Sequence, residues 1–197
     1  TFNAVERDNI GVAGVKLYNL IKNNADTTTA INYKIRSGVS GTNGIYTTTA
    51  TEGNVPVYYY RGDADKVNNN IIFNNMCWKI IRTTETGGIK LIYNGVPTDG
   101  TCNNTGDASQ TVAITWNAKY NDNAYVGYMF GINNTGNSTS KKQAQTNTYA
   151  STMKTYLEDT WFENNLKDYV AYLEDTVFCN DRSIVSGGDN NYLDAST

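Results

Sequence analysis

Three cysteines, Cys77, Cys102 and Cys179, are the residues of this chain best suited to covalent chemistry. A catalytic thiol needs a neighbouring base or a basic cluster to raise its thiolate fraction. The chain contains no histidine, which excludes Ser-His-Asp and Cys-His catalysis and His-based zinc or haem ligation from within it. No basic cluster surrounds Cys179 in sequence either. Spacing and context favour a Cys77 to Cys102 disulfide. Closing about 25 residues contributes roughly 3.5 kcal/mol in the chain-entropy model. The alternative is three reduced, mostly buried thiols. Under the disulfide reading Cys179 is left as a free thiol or as the partner of a cysteine outside this chain.

Other residue sets have a plainer reading beside the functional one. Arg61-Gly62-Asp63 is the integrin-binding tripeptide, yet three residues at a strand end more often form a turn. Asp63, Asp65, Asn68, Asn69 and Asn70 offer oxygen ligands for calcium, but their spacing departs from the EF-hand loop, and a solvated loop is the better reading. Glu158, Asp159, Glu163, Glu174 and Asp175 would supply an acid and a base for sugar hydrolysis if two of them faced one another. Otherwise they are the wet face of a helix. With 15 Tyr and 3 Trp, Tyr58, Tyr60, Trp116, Tyr120 and Tyr125 are candidates for stacking on a ligand, against core or surface packing as the default. Sequons at Asn103, Asn133 and Asn137 fall in expected loops and matter only in a glycosylating source.

The element that organises these residues is a hairpin. Cys77 to Arg82 and Ile89 to Tyr93 are β-rich runs flanking a polar link that ends in Gly87-Gly88. Trp78, Ile80 and Arg82 alternate with Cys77, Lys79 and Ile81, so each face buries at least one apolar residue. Ile89, Leu91 and Tyr93 form the apolar face of the second run. Upstream, Ile10, Ala13, Gly14, Leu17, Leu20 and Ile21 have the spacing of one helical face, predicting a helix over Val12 to Lys22 that Asn23-Asn24 ends. Residues Ala25 to Pro56, rich in Thr, Ser and Gly, read as a long irregular excursion. Val57 to Tyr60 reads as a strand, and Thr111 to Trp116 as another.

Ala124 to Phe130 is expected to be buried on at least one side, bounded by Gly127 and Gly131. Gly131 to Thr148, which includes Lys141-Lys142, reads as an exposed loop. Ser151 to Tyr172 carries the second helical pattern, with Ser151 as N-cap and an irregularity near Asn164-Asn165. Thr176 to Asp181 reads as a final strand, and Ser186 to Thr197 as a polar tail.

Composition narrows the partners. Only 39% of residues are hydrophobic and 18% charged, so the negative mean hydropathy comes from Asn, Thr, Ser and Tyr. Such residues hydrogen-bond locally and favour turns and edges, which fits a loop-rich extracellular surface. A net charge of −3 without clustered Lys or Arg argues against nucleic acid. No apolar run approaches the length that spans a bilayer, so no membrane contact is expected within this chain. The start at Thr1 is read as a processed or partial form.

Several strings carry a resemblance: Tyr58-Tyr59-Tyr60-Arg61-Gly62, Cys77-Trp78-Lys79-Ile80-Ile81-Arg82, Lys90-Leu91-Ile92-Tyr93-Asn94-Gly95, Tyr125 to Gly131, and Phe178-Cys179-Asn180-Asp181-Arg182-Ser183. In this order they resemble a set of uncharacterised secreted or surface proteins of low-GC Gram-positive gut bacteria. Similar sequences have a cysteine after the first hairpin, which implies the Cys77 to Cys102 pairing. More distantly, a Trp-led strand, a hairpin and a Ser-initiated helix resemble domains of unknown function with the C-type-lectin-like and formylglycine-generating-enzyme fold. Such domains continue beyond the segment matching Phe178 to Ser183, so that resemblance implies a fold incomplete at the C-terminus. The known activities do not carry over. Of the lectin calcium signatures only Trp116-Asn117 is present, followed by Ala118, and Cys77 and Cys102 look structural instead of reactive.

The expectation is an α+β protein: a twisted, mostly antiparallel sheet with two main helices and long polar loops. Residues 1–56 would form a helix and excursion packed on a main domain, 57–197. Its expected role is an extracellular, cell-surface structural or adhesive module, a filament or appendage subunit without catalytic activity, cofactor or metal. It would self-associate or bind another surface protein. The alternative is a carbohydrate-binding module or glycan-acting enzyme.

Overall fold

The structure, a computed structural model, describes residues 10–32, 43–49, 53–63, 66–104, 108–118, 122–132 and 146–174. Expectations for Asp65, Tyr120, Asn133, Asn137, Lys141-Lys142, Asp175, the strand at 176–181, Cys179 and the tail fall outside these residues. The fold is α+β, with a mostly antiparallel sheet and few helices. Two compact units divide the chain, Thr1–Val112 and Ala113–Thr197.

In the first unit α1 (Ile10–Asn23) starts two residues before the expected Val12 and ends where Asn23-Asn24 predicts. Asn24 closes it, its backbone N–H reaching Leu20 O and Ile21 O and its Nδ2 donating to Leu20 O at 2.8 Å; carbonyls left over at a helix end are thereby paired. Leu17 and Ile21, one turn apart, are buried. Leu20, grouped with them by spacing, is 55% exposed. At about 100° per residue it stands a quarter-turn from Ile21, on the solvent flank.

A five-stranded sheet follows. The excursion read as irregular contains its first strand, β1 (Gly44–Thr49), paired antiparallel with β2 (Pro56–Arg61) from Gly44↔Arg61 to Thr49↔Pro56. Ile45, Tyr46 and the three threonines after them are strand formers that the surrounding Gly and Ser obscure. Asp26 bridges to Tyr46, its N–H donating to Ile45 O at 2.8 Å. On β2 Val57 and Tyr58 are both buried, on opposite faces because side chains alternate along a strand, and on the helix side the Tyr58 ring meets Tyr18 edge-on at 6.0 Å. Full burial of an aliphatic side chain such as Val57 or Ile21 contributes about 1.5–3 kcal/mol.

β3 (Asn70–Phe73) and β4 (Met76–Thr83) form a hairpin around Asn74-Asn75. Both asparagines have positive φ, 50° and 53°, as a two-residue type I′ turn requires. β4 and β5 (Ile89–Tyr93) form the expected second hairpin. Thr84 closes it, its N–H donating to Gly88 O and its Oγ1 accepting from Gly88 N–H, both at 2.8 Å. A bulge lies between Ile80 and Arg82, and it is there that Ile81 turns to solvent while Trp78 and Ile80 stay buried. Trp78 and Tyr93, directly opposite, make an edge-to-face pair at 5.6 Å.

Trp78 and Lys79 pair with both β3 and β5, and Arg82 pairs with both β2 and β5. One edge of β4 therefore belongs to β5, and the other is divided between β3 and β2. Asn69 fills the gap between those two, accepting from Ile80 N–H and donating from Nδ2 to Ile80 O, each at 2.8 Å. The expected strand at Thr111 to Trp116 is not formed. Thr111 instead donates from N–H and Oγ1 to Ala108 O, closing a 3-10 turn, Ala108–Gln110.

In the second unit a 3-10 turn (Asn123–Val126) leads through Gly127, at φ 108°, into β6 (Phe130–Gly131), which pairs with β7 (Tyr149–Ala150). Of the run expected to be buried, Ala124 is buried and Tyr125 is not. The second helical pattern is real but mixed. A helical turn, α2 (Thr152–Thr155), passes into a π-helical stretch (Tyr156–Phe162) and a further turn, α3 (Glu163–Asn165). Leu166, at φ −126°, breaks the helix beside Asn164-Asn165, and a 3-10 segment (Lys167–Tyr172) follows. Among the described residues no helix is long and apolar enough to cross a membrane.

Candidate functional site

The candidate residues of the first unit are engaged in holding it together. Cys77 and Cys102 are bonded, with Cα atoms 5.7 Å apart. The disulfide pins the segment after β5 over the face of the sheet that carries Cys77 and Lys79. An amide network continues that attachment. Asn94, buried at the end of β5, donates from Nδ2 to Asn70 Oδ1 (3.1 Å) and Asn103 O (2.8 Å) and accepts from Gln110 Nε2. Asn70 in turn donates to Asn104 Oδ1, and Lys79 Nζ donates to Asn104 O at 2.8 Å. Burial holds the Lys79 ammonium below its ordinary pKa. Asn69 and Asn70, weighed as calcium ligands, are thus part of the sheet and its cover. Among the described residues no three or more His, Cys, Asp or Glu gather as a metal site.

Arg61-Gly62-Asp63 is a structural turn. A Cβ at Gly62 would overlap the side chains of Val67 and Asn43, and Asp63 N–H donates to Asn43 Oδ1 at 2.9 Å.

The proposed stacking residues separate. Tyr58 is only 6% exposed, so the expectation of ligand stacking fails there: β2 lies between β1 and β4, and the ring faces Tyr18 in the core. Burial, then Tyr18, pushes its hydroxyl pKa up. Tyr60 is half-buried, and burial likewise raises its pKa. Trp116 is 37% exposed, its indole N–H donating to Tyr128 O at 3.2 Å, and Tyr125 is 48% exposed on the 3-10 turn. Tyr120 and Cys179 lie outside the described residues.

The carboxylates weighed as acid and base are dispersed. Glu158, Asp159, Glu163 and Glu174 are exposed, and Glu158 and Glu163 pair with Lys154 and Lys167 one turn away. The spacing Ser151-x-x-Lys154, which acyl-transfer serine enzymes use, is structural here. Ser151 is fully buried and its Oγ accepts from Lys154 N–H at 3.1 Å, while Lys154 Nζ meets Glu158 and lies 5.2 Å over the Phe130 ring.

The second unit contains a polar cleft. Its volume is about 240 Å³, and Asn117, Asp122, Gly131, Thr148, Tyr149 and Thr155 contribute to its lining. Asp122, buried, caps the 3-10 turn: Oδ1 accepts from Ala124 N–H at 2.9 Å and Oδ2 from Ile132 N–H at 3.1 Å. Asn117, also buried, accepts from Thr152 N–H at 3.4 Å, and Trp116 O accepts from Met153 N–H at 3.0 Å. With Lys154 N–H on Ser151 Oγ and Thr155 N–H on Ser151 O, the first four amides of the helix are all engaged. The N-terminus therefore has no donor left over for an anion.

Sequence reasoning found the Ser151 cap but not Asn117, Asp122 or Tyr149. Asp122 carries a capping signal, an acidic residue just before a short turn, while Tyr149 joins it through the pairing of β6 with β7 and Asn117 through the Thr152 amide. Comparisons with protein-family models, curated proteins and solved structures gave no match.

Proposed function

We propose that this chain is a non-catalytic structural or adhesive module displayed outside a bacterial cell, a subunit of a surface appendage. The Cys77–Cys102 disulfide is the observation that carries this reading, since such bonds persist in oxidising, extracellular surroundings. The resemblance of the hairpin strings to secreted and surface proteins of Gram-positive gut bacteria supports it, and at the level of fold the C-type-lectin-like architecture is part of the same proposal. The dispersed, lysine-paired helix carboxylates weigh against a sugar hydrolase built on them. For assembly, β5 pairs with β4 alone among the described strands and carries the exposed Ile92. An edge of this kind recruits a strand from a neighbour, and Cys179 is the proposed site of a covalent link to it.

Negative-stain imaging of the natively purified protein, with its mass measured under non-reducing conditions, tests this. Filaments, rings or a disulfide-linked oligomer are expected. Dispersed monomers at high concentration would overturn the assembly.

A further inference from the structure

We infer that the cleft of the second unit binds one pyranose ring, either free or as the terminal unit of a glycan. This sharpens the adhesive side of the proposed role and does not depend on assembly. At about 240 Å³ the cleft is below the roughly 300–1,000 Å³ of pockets that hold drug-sized ligands and cofactors, so its occupant is small. The lining is mostly polar, with Asn117, Asp122, Thr148 and Thr155 among its residues. A ligand entering such a recess must replace the hydrogen bonds it gives up in water. Adjacent sugar hydroxyls do so, donating to a carboxylate, which accepts more than one hydrogen bond per oxygen, and both donating to and accepting from threonine hydroxyls. Tyr149, 46% exposed on the lining, supplies an aromatic face for the apolar side of the ring.

Charge selects a neutral ligand. An anion would approach the Asp122 carboxylate and find every N–H of the helix start engaged. A cation is not demanded, because Asp122 is stabilised by the amides of Ala124 and Ile132. The floor of the cleft requires glycine at position 131, where a Cβ would stand 2.7 Å from the Asp122 carboxyl carbon.

The test is a titration of the intact protein with D-glucose, D-galactose, D-mannose and N-acetyl-D-glucosamine to roughly 50 mM, enough to reveal millimolar binding. It is followed by amide NMR shifts and paired with an array of immobilised glycans ending in the same sugars. Saturable shifts centred on Gly131, Ala150 and Thr155 are expected from at least one sugar, or array binding where only the terminal unit of a longer glycan is held. Tyr149→Ala should weaken binding about tenfold, and Thr155→Arg, on an exposed position, should abolish it while the remaining spectrum stays folded. No response to any sugar in either format, binding unchanged in both variants, or stronger binding of methylammonium at the same amides would overturn the assignment.

Discussion

Gly131 lies against Asp122 so closely that a single methyl group on its α-carbon would stand 2.7 Å from the Asp122 carboxyl carbon and 2.9 Å from Oδ2. The aspartate is fixed by the amides of Ala124 and Ile132, so it cannot simply swing away. Gly131→Ala should destabilise the second unit by about 1–3 kcal/mol, the range for overpacking. Chemical denaturation followed by the fluorescence of Trp116 and Trp161 would measure it, and an unchanged midpoint would show that Asp122 relocates freely.

Loss of the Cys77–Cys102 bond should lower stability by roughly 3.5 kcal/mol, the loop-closure figure for a 25-residue separation. Denaturation midpoints of the oxidised protein and of the Cys77→Ala/Cys102→Ala variant would give the difference directly. A gap near zero would mean that the amide network alone holds the segment after β5.

That network has its own test at Asn94. Replacing it with alanine removes the partner of Asn70 Oδ1, Asn103 O and Gln110 Nε2, and a cost of about 1–3 kcal/mol is expected from stranded polar groups. The Asn94 network and the disulfide hold the same segment, so their effects should not add. A double-mutant cycle is expected to give a coupling of about 0.5–3 kcal/mol.

Asp26 sets an acid limit. Hydrogen bonds from Thr29 and Thr28 hold its carboxyl well below the ordinary value of 3.8. The folded-state pKa is depressed, so the contribution is complete above pH 3.8 and is lost as pH falls toward the folded value. Asp26→Ala should therefore flatten the acid side of the stability profile and leave the shape above neutral pH alone. Identical acid limbs in variant and parent would place the sensitivity elsewhere.

The hairpin of β4 and β5 was legible because alternation and a Gly-Gly link state it twice, and Ser151 was legible because a cap is a local signal. β1 was hidden by composition: Thr47, Thr48 and Thr49 read as loop until Pro56 to Arg61 supply a partner. β3 was hidden by its turn, since Asn74-Asn75 looks like more of an asparagine-rich loop unless both residues are taken as left-handed. The cleft was least legible. Asn117, Asp122 and Tyr149 are separated in sequence, and what brings them together is hydrogen bonding to backbone amides, which leaves no periodic trace in side-chain type.

The strand that serves three neighbours also sets an order of events in time. Opening β3 or β5 breaks one strand pairing, whereas freeing β4 requires releasing β5, β3 and β2 together. Amide hydrogens of Trp78 to Ile80 should then be among the last of the first unit to exchange with heavy water, at a rate set by global unfolding instead of local fraying.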